Sequence, residues 1–261
     1  MAPIHDGDFG PFSGSERDEV VWGTYRRTGT WAPELVALLR RLLGRDGGTL
    51  IDVGANVGLV AIPVLAGSGA RCIAVEPVPD NLKHLIRNLA AHGLAERAEV
   101  HPVALWDVPG QVPMELSPHN SGDNRLAPTG GAGETVMVPA GPLDALLEGR
   151  PLAAPCVMKV DTQGAEARVL AGAAQTLKQV DYLIVEYWPA GLRRMGDDVK
   201  RLQAALSVFS HAVVLDQAQP PQALAPLTEV LESLAWIPDD GSDEGFFDLL
   251  LGRGPELAPT L

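Results

Sequence analysis

The sequence predicts an α/β fold, in which a doubly wound, mostly parallel sheet of seven strands carries helices on both faces. Short apolar segments of strand character alternate with segments of helical periodicity, a pattern typical of parallel sheets that are covered on both faces. The chain has 261 residues, 46% of them hydrophobic, which is enough for one substantial core. One large α/β domain is therefore expected rather than two small ones.

The N-terminal region precedes this alternation. Residues 1–18 are rich in Gly, Pro, Ser and acidic residues, which indicates a flexible arm or a lid that orders only with ligand. The next segment predicts an amphipathic helix, with Pro33 at its start and Gly44 just past its end. We assign residues 1–47 to an N-terminal arm and helical cover, and residues 48–261 to the main, ligand-binding domain.

Strands and helices then follow in order along the chain. The clearest helix begins at Pro79 and Asp80, and Gly93 occupies the position where a left-handed residue ends a helix. Two extended pieces, separated by a stretch rich in Gly, Ser, Pro and Asn, predict a hairpin-like insertion near residues 111–142 with a mobile loop. The predicted strands of the main sheet are 49–53, 71–76, 99–103, 156–161, 182–186, 211–215 and 246–251; the pieces of the insertion are 111–116 and 135–139, and further helices are expected near 199–208 and 227–234.

Residues 49–58 are an apolar strand that runs into a turn and then a helix. Gly54, Asn56 and Gly58 allow a tight reversal and close approach of a ligand, and the helix amides that follow suit a nucleotide. Asp52 would repel a dinucleotide pyrophosphate and attract a sulfonium or ammonium group. The glycines are four residues apart and complete no G-x-G-x-x-G motif. The turn favours S-adenosylmethionine over NAD, and a strand turn without a cofactor is the alternative.

Polar and apolar residues at the ends of the next two strands extend this predicted cofactor site. Glu76 ends the second strand, where a carboxylate can accept hydrogen bonds from both ribose hydroxyls. An exposed helix-capping acid is the alternative role for that residue, and the Pro77 and Asn81 that follow it favour the ribose. After the third strand, Ala104 and Leu105 could contact the edge of an adenine, and Asp107 could accept a hydrogen bond from its amino group.

Three residues are candidates for catalysis. Asp161 ends the fourth strand and is expected to point into the same crevice, where it could position a substrate or act as a general base. Glu186 ends the fifth strand, and a structural ion pair with Lys159 or Arg168 is its alternative.

His119 lies in the mobile insertion and could take a proton from a substrate hydroxyl, although a solvated loop histidine is the simpler interpretation. Asp161, Glu186 and His119 could also bind a divalent metal, but nothing in their spacing requires one.

Charge and composition restrict the partners. A formal net charge of -13 and a pI near 4.8 would repel nucleic acid and anionic lipid headgroups at long range. The N-terminus shows neither the basic region nor the apolar core of a secretory signal, so a cytoplasmic protein is expected. Cys72 and Cys156 lie in apolar runs without metal-type or disulfide-type spacing, which indicates buried, inert thiols.

Taken in order, the motifs resemble those of the FkbM-family S-adenosylmethionine-dependent methyltransferases. The resemblance covers the region from about residue 20 to residue 190, and the remaining pattern is similar to the last two strands of the class I methyltransferase fold. The segments that carry the resemblance are Asp52-Val-Gly-Ala-Asn-Val-Gly58, Glu76-Pro-Val-Pro-Asp-Asn81, Leu143-Asp144, Lys159-Val-Asp-Thr-Gln-Gly-Ala-Glu166 and Ile184-Val-Glu186.

The resemblance implies a Rossmann-like class I fold with an antiparallel last strand. It also implies that the glycine turn holds the methionine part of the cofactor, that Glu76 holds the ribose, and that Asp161 forms the floor of the methyl-transfer site. The expected reaction is in-line methylation of a hydroxyl on a small molecule, often a polyketide, a sugar or another specialised metabolite.

Two departures from the family pattern matter. Gln163 stands where the family usually has Glu, which removes a charge near the acceptor, and His92 stands where an Asn is usual. Two other functions stay open at this point: an NAD-dependent oxidoreductase on the same architecture, and a nonenzymatic protein that binds the cofactor without turnover. The sequence does not identify the methyl acceptor or the oligomeric state.

Overall fold

The computed structural model describes residues 4–127, 130, 133–215, 221–238 and 245–257, and it shows an α/β protein built on one large mixed sheet. The strands are β1 (Ile4–Gly7), β2 (Gly10–Ser13), β3 (Thr49–Val53), β4 (Arg71–Val75), β5 (Ala98–His101), β6 (Ala104–Leu105), β7 (Gly110–Glu115), β8 (Arg125–Leu126), β9 (Thr135–Gly141), β10 (Cys156–Val160), β11 (Tyr182–Tyr187), β12 (His211–Val214), β13 (Ala225–Pro226) and β14 (Phe247–Gly252). The α-helices are α1 (Val21–Thr28), α2 (Pro33–Leu43), α3 (Ala61–Ala66), α4 (Pro79–Ala91), α5 (Leu143–Leu146), α6 (Glu166–Ala171), α7 (Pro189–Arg194), α8 (Val199–Leu206) and α9 (Leu227–Ser233).

The large sheet has the predicted doubly wound topology. Its hydrogen-bonded neighbours run β13, β12, β14, β11, β10, β3, β4 and β5. The pairs from β5 through β11 are parallel, whereas β14 is antiparallel to both β11 and β12. All seven predicted strands are present, and the two-residue β13 adds an eighth at the edge. The chain order reverses between β3 and β10, and at such a point the carboxyl ends of the strands leave a crevice for a ligand.

Both faces of the sheet are covered. Because successive side chains of a strand point to opposite faces, Leu50 belongs to a buried cluster with Leu39 and Ile62, while Ile51 belongs to another with Leu202. Strands buried on both faces are expected to be continuously apolar, so their polar residues stand out. Those buried polar residues are Thr49, Asp52, Lys159 and Glu186.

The N-terminal arm differs from the expectation of flexibility. β1 and β2 form an antiparallel hairpin, and Phe12 and Ser13 at its end are buried. The Asn88 amide of α4 donates to the carbonyls of Ser13 (2.9 Å) and Val57 (2.8 Å), and its oxygen accepts from the Ser13 amide (2.8 Å). The polar composition of this segment indicated flexibility, but the segment forms a hairpin that side-chain hydrogen bonds fix to α4. His92 adds to this anchor, because its Nε2 lies 2.9 Å from the carbonyl oxygen of Phe9.

The insertion is confirmed as a hairpin, with two short strands added to it. β7 and β9 pair antiparallel, and β8 and β6 extend them into a second sheet in the order β6, β9, β7, β8. Part of the predicted mobile loop, at 128–129 and 131–132, lies outside the described residues.

The remaining predictions about the fold concern the thiols and membrane spans. Cys72 and Cys156 are buried free thiols, as the sequence predicts. Within the described ranges, no helix combines the length and the apolar character that a membrane span requires.

Candidate functional site

A cavity opens where β3, β4 and β10 end, between the large sheet, α2 and the insertion. Of the predicted site residues, the structure brings together in its lining Asp52, Gly54, Asn56, Glu76, Pro77, Asn81, Ala104, Leu105 and Asp161. It leaves outside the lining Gly58, Asp107, His119 and Glu186.

The turn after β3 has the tight geometry that the sequence predicts. Gly54, Asn56 and Gly58 have φ angles of 79°, 51° and 90°, in the left-handed region that favours glycine and tolerates asparagine. A Cβ at Gly54 would collide with the backbone oxygen of Asp161, and one at Gly58 would lie 2.8 Å from Ile62 Cδ1. Close packing against the protein's own chain, rather than approach of a ligand, is what these two positions require.

A side-chain bridge joins this turn to the insertion and to α1. Asn56 Nδ2 donates to Ser121 Oγ (3.0 Å), and Ser121 Oγ donates to Asp18 Oδ2 (2.5 Å). Asp18 in turn accepts from the backbone amides of Val21 and Trp22 at the start of α1. The side wall of the cavity is therefore built jointly by the N-terminal region, the insertion and the glycine turn.

Asp52 lies beside a buried lysine that neutralises it. Lys159 Nζ is 3.4 Å from Asp52 Oδ1 and 3.5 Å from Asp161 Oδ2, and it donates to the Gly54 carbonyl at 3.1 Å. Burial disfavours the ammonium, but the two carboxylates outweigh that effect and raise the pKa of Lys159 above its usual value. Burial also raises the pKa of Asp52, against the Lys159 charge. The charge of Lys159 therefore weakens the attraction of Asp52 for a cationic cofactor.

Glu76 is buried at the end of β4 rather than exposed as a helix cap. Its carboxylate accepts from the backbone amides of Asn56 and Val78, both at 2.8 Å, and from Asn81 Nδ2 at 3.4 Å. Burial raises the pKa of Glu76 to about 7, although these hydrogen bonds favour the charged form. A carboxylate offers about four acceptor sites, so one on Oε2 stays free for a ligand hydroxyl.

Ala104 and Leu105 form β6 and supply buried apolar lining, whereas Asp107 turns away from the cavity. Its Oδ2 lies 2.6 Å from Arg201 Nη2 and 3.3 Å from Arg168 Nη1. Burial opposes ionisation, but the two guanidinium groups outweigh it and lower the pKa of Asp107. The structure thus places Asp107 in an ion-pair cluster, not at the predicted adenine contact.

Asp161 faces the cavity, with 48% of its side chain exposed. Gln163, which has a left-handed φ of 58°, donates from Nε2 to Asp161 Oδ1 at 2.9 Å. Glu166 holds the same loop, because its Oε1 accepts from the Thr162 and Gly164 amides. The amide of Gln163 can donate to Asp161 where a Glu would repel it, so this departure from the family pattern orients the acid.

Glu186 lies behind the lining, and neither predicted ion pair forms. Lys159 pairs with Asp52 and Asp161, and no side-chain hydrogen bond to the Glu186 carboxyl occurs within the described ranges; its Oε2 is fully buried. Burial, followed by the charges of Glu166, Asp161 and Asp248, raises the pKa of Glu186 to about 9.

His119 is not brought to these acids. It is 68% exposed beside Glu19, with its Nδ1 3.5 Å from Glu19 Oε1, because its backbone carbonyl accepts a hydrogen bond from the Glu19 amide just before α1. His119 is therefore separated from the other two proposed metal ligands, Asp161 and Glu186. Among the residues that the structure describes, no group of three His, Cys, Asp or Glu side chains could hold a metal ion.

The structure adds lining residues that the sequence analysis missed. Asp248 of β14 lies directly opposite Glu186 and faces the cavity. A lone acid within the apolar run Phe-Asp-Leu-Leu-Leu was the available signal. Two aromatic residues upstream of the first strand of the large sheet, Tyr25 and Trp31, are candidates from the sequence for closing over the cofactor, with apolar packing as the simpler alternative. Trp31 lines the cavity, whereas Tyr25 is buried and donates to the Gly10 carbonyl at 3.1 Å, so that only Trp31 can contact a cofactor.

These groups fit S-adenosylmethionine. Glu76 has a free acceptor site for a ribose hydroxyl, and Ala104 and Leu105 give an apolar surface for the adenine. Asp52 also lines the cavity, and the part of its negative charge that Lys159 does not neutralise would attract a cationic group of the cofactor. The fit rests on the cavity's own chemistry.

Comparison with known proteins agrees with this site. The sequence profile of the Methyltransferase FkbM domain matches residues 52–205. The hexuronic acid methyltransferase AglP of Haloferax volcanii is 32% identical over 155 residues, which are 57% of this chain and 60% of that protein's length.

Among solved structures, the chain resembles a geranyl diphosphate methyltransferase in complex with SAM (TM-score 0.46, 11% identity, covering 97% of each chain). It also resembles the precorrin-6y C5,15-methyltransferase of Geobacter metallireducens (TM-score 0.46, 12% identity, covering 92% of this chain and 94% of that one). The match of the family profile to more than half of the chain, including most of the residues that line the cavity, shows that the chain belongs to the FkbM family of S-adenosylmethionine-dependent methyltransferases.

Proposed function

We propose that this protein is an O-methyltransferase that acts on a hydroxyl of a small molecule, a sugar, a polyketide or a similar specialised metabolite. The observation that carries the proposal is Asp161, an acid that faces the cavity from the end of β10, one strand from the glycine turn. A carboxylate in this position can accept the proton of an alcohol while the oxygen is methylated.

Charge supports a small acceptor. Nucleic acid would meet a formal net charge of -13 and a cavity whose described lining contains four acids and one lysine. The relative in Haloferax volcanii acts on a hexuronic acid, which is a small sugar, and this favours a carbohydrate among the candidate acceptors.

Bound S-adenosylmethionine supplies a methyl group that is already activated. The chain's own residues then align the acceptor, exclude water and remove a proton. Asp161 suits the last task because it faces the cavity and is oriented by Gln163. Glu186 is protonated at neutral pH, given its raised pKa, and therefore cannot take a proton there. His119 lies outside the cavity lining, which leaves Asp161 as the proposed base.

Calorimetric titration with S-adenosylmethionine, followed by mass spectrometry of a panel of hydroxyl acceptors, tests the proposal. We expect saturable binding, a methyl-sized mass gain on an oxygen, and loss of transfer in Asp161→Asn with binding retained. Binding without transfer across the panel would favour the nonenzymatic alternative. Absence of binding to S-adenosylmethionine together with binding of NAD would favour an oxidoreductase.

A further inference from the structure

We propose, as an inference that rests on the proposed function, that the acceptor carries a cationic amine near its reactive hydroxyl, as an amino sugar does. In this proposal Asp161 and Asp248, which line the cavity, bind the amine, and the buried carboxyl of Glu186 lies behind the lining between them. The cofactor groups lie over β3 and β4, so the acceptor half of the cavity lies by β10 and β14, the strands on either side of β11. These three acids sit on those three strands or at their ends.

The sheet holds the acids close together. Glu186 and Asp248 are directly opposite partners in the antiparallel pair of β11 and β14. Asp161 immediately follows β10, which pairs in parallel with β11. Like charges directly opposite each other in a sheet are destabilising. In the free protein, burial and these neighbouring acids keep Glu186 protonated, and a ligand ammonium beside it would favour its ionised form, so the arrangement indicates a site that a ligand completes.

The described lining of the cavity offers Asp161, Glu186 and Asp248 no cationic side chain that is not already engaged elsewhere. Lys159 is the one cation in the described lining of the cavity, and it is already shared by Asp52, Asp161 and the Gly54 carbonyl. The Asp248 carboxylate accepts no hydrogen bond and forms no ion pair with any described residue, although it faces the cavity. An ammonium group with three donors could satisfy what the protein leaves unpaired.

Glu186 gives a second, independent observation. It is 7% exposed, and its Oε2 makes no hydrogen bond within the described ranges. Buried carboxyl groups without partners are rare, because each loses its hydration without compensation. Glu186 lies between Asp161 and Asp248 in the sheet, and the charges of both act on it. A ligand ammonium between them would replace the missing partner.

The same charges disfavour the opposite class of acceptor. A uronic acid would bring a carboxylate toward Asp161 and Asp248 with no free cation to receive it. A neutral sugar would leave the acids unpaired.

The test uses three probes that share one sugar ring and differ in charge: glucosamine is cationic, glucose is neutral and glucuronic acid is anionic. Each is titrated by calorimetry into the full-length protein saturated with S-adenosylhomocysteine. We expect glucosamine to bind about tenfold more tightly than glucose, and glucuronic acid to bind most weakly. Asp248→Asn and Glu186→Gln should each remove most of the glucosamine preference while binding of S-adenosylhomocysteine stays unchanged. Glu232→Gln, the same loss of charge on the exposed side of α9, is the control and should leave the preference intact.

Equal binding of the three probes, tightest binding of glucuronic acid, or no glucosamine binding while the cofactor product still binds would each overturn the inference. The proposed function fails separately. Methylation of a hydroxyl on a uronic acid would overturn the amine site and leave O-methylation standing, whereas methylation of the glucosamine nitrogen would overturn O-methylation and leave the amine site standing.

Discussion

Lys159 and Asp52 occupy paired positions of the adjacent parallel strands β10 and β3, and Lys159 Nζ lies 3.4 Å from Asp52 Oδ1 with both side chains buried. The acid that would attract a cationic cofactor is therefore neutralised in part before the cofactor arrives. The pair lies where cofactor and acceptor halves of the cavity meet, so its integrity affects both the fold and the site.

Lys159→Met should destabilise the protein strongly. Removing the lysine leaves Asp52 buried without a counter-charge, and we expect a loss of about 3–5 kcal/mol in the free energy of unfolding. The double variant Asp52→Asn with Lys159→Met should recover most of that loss. Denaturant unfolding of the three proteins measures the effect.

Lys83→Met provides the matched control for this experiment. Lys83 pairs with Asp80 at a shorter distance, 2.8 Å, but both side chains are more than half exposed. Its removal should cost less than about 1 kcal/mol. A similar cost at the two lysines would show that burial does not govern the Asp52 pair.

Gly54→Ala should be far more damaging than Gly93→Ala. Both glycines have positive φ angles, 79° and 67°, so that the backbone strain of an alanine is shared, about 1 kcal/mol. Only at Gly54 would the added Cβ meet the Asp161 backbone, because Gly93 has open space around it. Thermal unfolding should show the additional loss at Gly54. Equal shifts at the two positions would mean that the turn can move away from β10.

Binding of S-adenosylmethionine should strengthen as pH rises through the pKa of Glu76, about 7 in the free protein. Below that pKa the protonated carboxyl loses an acceptor that a ribose hydroxyl needs, and above it the carboxylate is restored. Affinity should rise by up to about tenfold per pH unit below the midpoint and then level off.

The variant Glu76→Gln tests whether the pH dependence of binding comes from ionisation of Glu76 or of another group. The variant should bind more weakly at alkaline pH and lose the part of the pH dependence that belongs to Glu76. Calorimetry from about pH 6 to about pH 8.5 measures both proteins. A pH profile that is identical in the variant would assign the dependence to another group.

Gln163→Glu should destabilise the protein at neutral pH and less at acidic pH. The substitution replaces the donor to Asp161 Oδ1 with a second carboxylate, and repulsion raises the proton affinity of the pair. Because the folded state then binds protons more tightly than the unfolded chain, the lost stability, about 1 kcal/mol at pH 7, returns as pH falls toward 4.

Gln175→Glu adds the same charge beside Lys178, whose Nζ donates to Gln175 Oε1 at 2.7 Å. It should cost nothing measurable at neutral pH. Chemical denaturation of both variants across this pH range compares them, and a pH-independent loss in Gln163→Glu would mean that backbone strain rather than repulsion is responsible.

Much of the fold follows from the sequence because its signals are local. The alternation of apolar strands with helical periodicity fixed the seven strands of the main sheet, and Pro79 at the start of α4 marked a helix boundary that the structure confirms. The N-terminal hairpin could not be predicted in the same way. Its stability comes from the buried hydrogen bonds of Asn88, which is 75 residues away from Ser13 in the chain.

The residues of the candidate site also fall into those that local sequence could place and those that distant contacts position. Residues within a motif, such as Asp52 and Glu76, could be assigned from their place at a strand end, since parallel strands bring those ends to one edge of the sheet. Asp107 and His119 also stood near strand ends or loops, but distant partners decided their orientation: Arg201 and Arg168 draw Asp107 away, and the Glu19 amide donates to the carbonyl of His119.

By itself the sequence determined the doubly wound sheet, the cofactor turn and the family, because these depend on residues close together in the chain. Only the tertiary structure decided which charges meet. Lys159 neutralises Asp52, and Asp248 faces Glu186, because the strands that carry them pair across 107 and 62 residues of sequence (159 − 52 and 248 − 186). Electrostatic energy depends on distance in space and on burial, and neither is written in the order of the residues.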